Sequence, residues 1–175
     1  IYDSVHGPLY LMTLDGELAF CMDYGKHSPS GSIYEKMDLG EKIPDDQREV
    51  IRQGLMFSLY LENCIYGDKE WGAPGLENMT ADSGQYLLMQ IWVWAAVKGL
   101  SSLECADCVR RTYISWGSEN QTWADNTYQM AEDFLEAGMD QSYTVEIAAY
   151  SSGNAANQDM FTYDFSTFQP VPGEL

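Results

Sequence analysis

From Leu87 to Val97 the chain is apolar at every position except Gln90. A run of that length falls short of a membrane span, which needs about 20 apolar residues. Read as a helix it is greasy around its whole circumference, so it must be buried on several sides. The rest of the fold has to be built around it. The helix is expected to start near Asp82, which has capping-box spacing to Gln85, and to stop at Gly99, a glycine signal for a helix C-terminus. A length of 175 residues suffices for one domain with one such core and leaves no room for two. Hydrophobic residues at 45% make a packed interior the expectation for most of the length.

Other elements flank this helix on both sides. Leu9–Leu14 and Glu17–Asp23 read as the arms of a β-hairpin closed by Asp15-Gly16, a pair suited to a type I′ turn. In the returning arm Leu18, Phe20 and Met22 share one face, and Glu17, Ala19, Cys21 and Asp23 share the other. Cys21 is thereby expected away from the more apolar face. A polar loop follows over residues 25–31, holding Lys26, His27 and Pro29. Pro44-Asp45-Asp46 opens a second helix, with Ile51, Leu55 and Leu59, joined by Met56 and Tyr60, at intervals of three and four. A Gly/Pro-rich connection covers Gly67–Gly75. Further helices are expected near Ser102–Ile114 and from Ser118, with Gln121 at capping-box spacing, to Gly138. Alternation returns in Ser142–Tyr150 and again in Met160–Phe168. Strands, then helices, then strands define an α+β chain: an antiparallel β unit built from both ends around a helical insertion. One domain over 1–168 is followed by 169–175, where Gln169–Gly173 reads as the start of a linker. A chain beginning at Ile1 without a signal-like segment reads as an excised piece of a longer protein.

Charge narrows the partners. Nine basic residues against 27 acidic ones give a net of −18. Such a field repels phosphate backbones and anionic membranes, which excludes nucleic acid and membrane surfaces as expected partners. It favours solubility and attracts lysine-rich surfaces. Four cysteines are too few for a disulfide scaffold, and Cys105 and Cys108 form a lone C-x-x-C without a second half. No metal or cofactor is expected.

Two positions break their local rules: Cys21, near a strand end and off its apolar face, and Gln90, inside the most apolar helix. At helical spacing Gln90 shares a stripe with Tyr86, Val93, Trp94 and Val97, so its amide needs buried partners. One chemistry joins the two. A thiol attacking the Gln90 carboxamide would expel ammonia and leave an internal thioester, removing an amide nitrogen that is costly to bury. The bland alternative is a hydrogen-bonded core glutamine and a small buried cysteine. Spacing alone does not bring the two side chains together.

The local strings add a resemblance. Phe20-Cys21-Met22 resembles the aromatic-Cys-apolar motif of the thioester domains of Gram-positive surface adhesins. Met89–Trp94 resembles that family's second motif, Thr-Gln-x-Ala-Ile-Trp, with Gln90 and Trp94 on its Gln and Trp and Val93 in place of Ile. The chain departs from it at Met89 and at Trp92, where Thr and a small residue are usual. The resemblance implies a β-sandwich- or barrel-like part beside a helical part, with a Cys21–Gln90 thioester between them. It also implies an extracellular domain of a longer, wall-anchored protein on a bacterial surface, expected to be a monomer. That domain would transfer the Gln90 acyl group once, without turnover, onto an accessible lysine of a host protein; fibrinogen is a target of some members.

Alternatives stay open. A non-covalent surface-binding module that has lost the thioester is the second reading. A Cys-His hydrolase or transferase using His27 is the third, although His27 reads more simply as a loop residue and His6 as a surface one. Gln85 competes with Gln90 as acyl donor but has an ordinary role at a helix cap. Cys64 could pair with Cys105 or Cys108, or all three could be buried thiols. The carboxylate pairs Asp45-Asp46 and Glu132-Asp133 read as caps or solvated faces. Asn78-Met79-Thr80 and Asn120-Gln121-Thr122 match the glycosylation acceptor pattern, which carries little weight if the source is bacterial, as the resemblance implies.

Overall fold

The computed structural model describes residues 2–3, 7–8, 12–26, 31–61, 81–138 and 143–167. The Asp15-Gly16 turn forms as expected. Both residues have positive φ, 51° and 86°, the backbone that lets a two-residue loop match the twist of its strands. It joins Met12–Leu14 (β3) to Glu17–Cys21 (β4), with Leu14 opposite Glu17 and Met12 opposite Ala19. Upstream, Tyr2–Asp3 (β1) pairs antiparallel with Gly7–Pro8 (β2). The expected strand residues Leu9–Leu11 lie outside the described residues.

The two alternating tail segments form Tyr143–Ser151 (β6) and Met160–Thr167 (β7), paired antiparallel with Val145 opposite Phe165 and Ala149 opposite Phe161. The short strand Glu35–Met37 (β5), absent from the sequence reading, pairs with β6. The sheet order is β3-β4-β7-β6-β5, every pairing antiparallel. Chain ends thus supply the sheet, and helices come between. The sheet is open, not closed into a barrel.

A one-turn helix, Leu39–Lys42 (α1), is capped by the Asp38 carboxylate accepting from the Gly40 N–H. Among the described residues the long helices are Asp45–Leu61 (α2), Ala81–Val97 (α3), Ser102–Trp116 (α4) and Gln121–Ala137 (α5). Helix α3 starts one residue ahead of Asp82, and Gly99 after it takes φ 89°. The side chains of Asp82 and Gln85 lie outside the described residues. Helix α4 carries a full capping box between Ser101 and Glu104. Helix α5 departs from expectation: Ser118 opens a 3-10 turn, Ser118–Asn120, and α5 has no side-chain cap. Its end at Gly138, φ 64°, is as expected.

The central helix meets its requirement. Tyr86 to Val93 are all buried, as are Ala95 and Ala96. One core contains Phe20 of β4 and Met22 just after it, Leu55 and Phe57 of α2, Leu87 and Trp92 of α3, Val109 of α4, Phe134 of α5 and Phe161 of β7. Within α2 the spacing expectation shifts slightly: Ile51, Leu55 and Met56 are buried, Leu59 and Tyr60 only half so, and Phe57 and Leu61 complete the face. No helix among the described residues is long and apolar enough to cross a membrane.

Candidate functional site

Strand β4 puts Phe20 into the main core, and Met22, just past the strand end, keeps the alternation and joins it there. Its other face is a correction to the sequence reading. Ala19 and Cys21 are buried there, at 0% and 3% exposure, in a second small cluster with Met160. Met12, Leu14 and Tyr34 cover them, and Tyr34 comes from a stretch of coil whose sequence has no periodicity to announce it. Cys21 therefore sits on a dry face after all.

Gln90 meets Cys21 across 69 positions of sequence. The Cys21 backbone N–H donates to Gln90 Oε1 at 2.9 Å, and Gln90 Nε2 donates to the Cys21 carbonyl at 2.8 Å. One carboxamide thus spans both polar groups of residue 21. With Cys21 at 3% exposure and Gln90 at 2%, the encounter is shielded from solvent. One turn earlier on α3, the Tyr86 hydroxyl donates to the Ala19 carbonyl at 3.0 Å and stands 3.4 Å from Gln90 Oε1. It also accepts from the Met12 backbone, so Tyr86 bridges β3 and β4. Its ring stacks on Phe20 at 4.8 Å. Burial, reinforced by any negative charge on Cys21, pushes the Tyr86 phenol well above its ordinary range, so it remains a protonated donor.

The strand end carrying Cys21 is pinned from below. The Asp23 carboxylate accepts from Lys42 Nζ at 2.6 Å and from the Asp159 backbone N–H at 2.8 Å. Lys42 also lies 2.9 Å from Asp159 Oδ2. Burial by itself would raise the Asp23 carboxyl. The Lys42 and Asp159 hydrogen bonds, with the charges of Lys42 and Lys26, outweigh it and hold the carboxyl below its ordinary value. For Lys42, burial works to lower the ammonium, and the two aspartates overcome it and raise it. Met22 donates to the Asp159 carbonyl, completing the clasp between β4 and the start of β7.

The departure at Trp92 does not crowd Gln90. Two residues further along a helix is about 200° around its axis, and Trp92 packs on α2 instead. Its indole N–H donates to the Val50 carbonyl at 2.9 Å, and a Cβ placed on Gly54 would lie 2.5 Å from its Nε1. Trp94, a turn beyond Gln90, meets Tyr24 edge to face at 4.9 Å, with Tyr24 the exposed member at 42%.

Other sequence candidates fall elsewhere. Cys105 and Cys108 lie in α4 and neither is in a disulfide. Cys64, His6, His27 and the Gln85 side chain lie outside the described residues, as do Gly67–Gly75 and Asn78–Thr80. Asp45 and Asp46 open α2 at its exposed end. Glu132 and Asp133 lie on the outer side of α5, where Gln129 Nε2 donates to both. Asn120 is buried and donates to the Tyr113 carbonyl, which leaves no exposed acceptor for a glycan. No group of His, Cys, Asp and Glu able to hold a metal occurs among the described residues.

The sequence reading missed Tyr86 as a polar participant. The available signal was its i, i+4 spacing to Gln90, which puts both polar tips on one stripe of α3. It missed the Asp23–Lys42–Asp159 clasp too, which joins three segments and has no local signature. Comparison of the chain with family models, with curated proteins and with solved structures yields no match.

Proposed function

We propose that this chain is a thioester adhesin domain in which Cys21 and Gln90 form an internal acyl bond that captures amines. The observation that carries the reading is the double hydrogen bond between the Gln90 carboxamide and the backbone of residue 21, in a dry interior. Bond formation balances without a cofactor. Cys21 Sγ adds to Cδ of Gln90, the thiol proton passes to Nε2, and ammonia leaves. An incoming lysine amine then attacks the same carbon, the C–S bond breaks, and Sγ recovers a proton while a stable amide remains. Proximity in a fixed geometry supplies the rate that a free thiol and amide lack in water. Exclusion of water protects the bond from hydrolysis before a partner arrives.

In this reading the domain acts once per molecule, outside the cell, as part of a longer bacterial surface protein. Its partner is a host protein presenting lysine, and the net charge of −18 draws such a surface in. The open five-stranded sheet would belong to the sandwich-like half of the family's fold. The test is amine capture. Wild-type protein incubated with methylamine gains one adduct at residue 90, located by peptide mass spectrometry, and Cys21→Ala gains none. Absence of any adduct on the folded wild type refutes covalent capture.

One observation favours a second reading. The carboxamide already has a partner for each polar atom, so Gln90 is satisfied without a covalent bond. A binding module that keeps the architecture and has lost the bond would look the same at these atoms. It predicts an alkylatable Cys21 thiol and partner binding that does not survive denaturation.

A further inference from the structure

Gln90 Oε1 is approached by two donors from different elements: the Cys21 N–H of β4 at 2.9 Å and the Tyr86 hydroxyl of α3 at 3.4 Å. In both acyl steps written above, this is the oxygen that takes up the electron pair. When sulfur or an amine adds to Cδ, the carbonyl π pair moves onto Oε1, and it returns when ammonia or the thiolate leaves. We propose that Tyr86 is a catalytic residue of this chemistry, its hydroxyl completing with the Cys21 N–H a two-donor oxyanion site at Gln90 Oε1. The role rests on the thioester reading and adds to it the group that stabilises the tetrahedral intermediates.

Three features suit Tyr86 to the task. Its single hydroxyl proton has two acceptors, the Ala19 carbonyl and Gln90 Oε1, with the nearer one neutral in every state. Negative charge on Oε1 draws the shared proton across, so a long ground-state contact tightens as the intermediate forms. The phenol is 3% exposed and its ring is held against Phe20, so the donor is oriented before reaction and needs little reorganisation. Finally, Tyr86 is too deeply buried to serve as a proton shuttle to solvent, which leaves hydrogen bonding as its contribution.

The test compares wild type with Tyr86→Phe, which keeps the ring stack and removes the donor. Two rates are followed by intact mass: ammonia loss on refolding, and methylamine uptake by the formed bond. Both are expected to fall about 10²-fold in Tyr86→Phe, as for the loss of one oxyanion donor. The end-point mass stays that of wild type. Replacing Tyr86 by 3-fluorotyrosine supplies a second variant with the same bulk and a more acidic hydroxyl, and is expected to react faster than wild type. Tyr86→Phe reacting at the wild-type rate, or a fluorinated variant no faster than wild type, overturns the catalytic role while leaving the thioester standing. Wild type that never loses ammonia overturns the thioester reading and this role with it.

Discussion

Cys21 and Cys105 are both buried, at 3% and 0% exposure, and they differ in what they face. Cys105 lies in α4 with the Leu100 carbonyl 3.8 Å from its sulfur. Burial, with the nearby charges of Cys108 and Glu104, pushes its thiol up to about 12. It has a carbonyl for company that is an ordinary peptide and an environment that opposes the thiolate. At Cys21 a side-chain carboxamide is hydrogen-bonded to both polar groups of the residue's own backbone. Burial alone does not make a cysteine chemically interesting; in the thioester proposal, what distinguishes Cys21 is a carboxamide bound to its own backbone.

The sharpest way to break this contrast is substitution at the two sites. Cys21→Ala and Gln90→Ala are each expected to abolish methylamine uptake, whereas Cys105→Ala leaves it at the wild-type level. Wild type should also expose one more alkylatable thiol, counted after unfolding, once methylamine has opened the bond. Loss of uptake in Cys105→Ala alone would reverse the assignment.

The two sides of α3 allow stability and reactivity to be separated. Trp92→Ala removes a fully buried ring and its hydrogen bond to Val50, and is expected to cost about 3–5 kcal/mol in urea unfolding. Gly54→Ala drives a methyl into the same ring and should cost about 1–3 kcal/mol. In protein that remains folded, neither change should prevent acyl chemistry on the opposite face.

The clasp beside Cys21 gives a pH-dependent effect. The Asp23 carboxyl is held below 3.8, so it contributes stability above that value and loses it as pH falls through its folded value. Lys42 is held above 10.5, so its contribution is present below that value and disappears as pH rises past its folded value. Asp23→Asn is therefore expected to destabilise by about 2 kcal/mol at neutral pH, typical of a lost hydrogen bond to a charged group. The difference should shrink in acid below 3.8, as followed by urea midpoints across pH. A gap that persists unchanged at pH 2 would contradict the linkage. The smallest effect belongs to the helix of Cys105: Ser101→Ala breaks its capping box and should cost about 1 kcal/mol with no change in amine uptake.

Much of the fold is legible wherever one residue type has one physical use. Asp15-Gly16 reads as a turn because its backbone needs positive φ, and the tail strands read from a period of two. The circumferentially apolar α3 announces itself as the centre. Less visible were β5 and α1, too short for any period, and the onset of α5, where a 3-10 turn replaces the expected Ser118 cap. At the site, Gln90 stands out in sequence because a lone amide in an apolar helix demands partners. Cys21 stands out too, but their pairing does not, since a side-chain-to-backbone contact 69 residues apart leaves no spacing to read. The cover over Cys21 was hidden for a related reason: Tyr34 comes from irregular chain that alternation says nothing about.

The central claim is a covalent bond between residue 21 and residue 90, and intact mass of the freshly folded chain tests it most directly. The expected mass is lower than that of the 175-residue sequence by one ammonia and returns to the full value in Cys21→Ala. A wild-type mass equal to the full sequence, with Cys21 alkylatable upon unfolding, would contradict it.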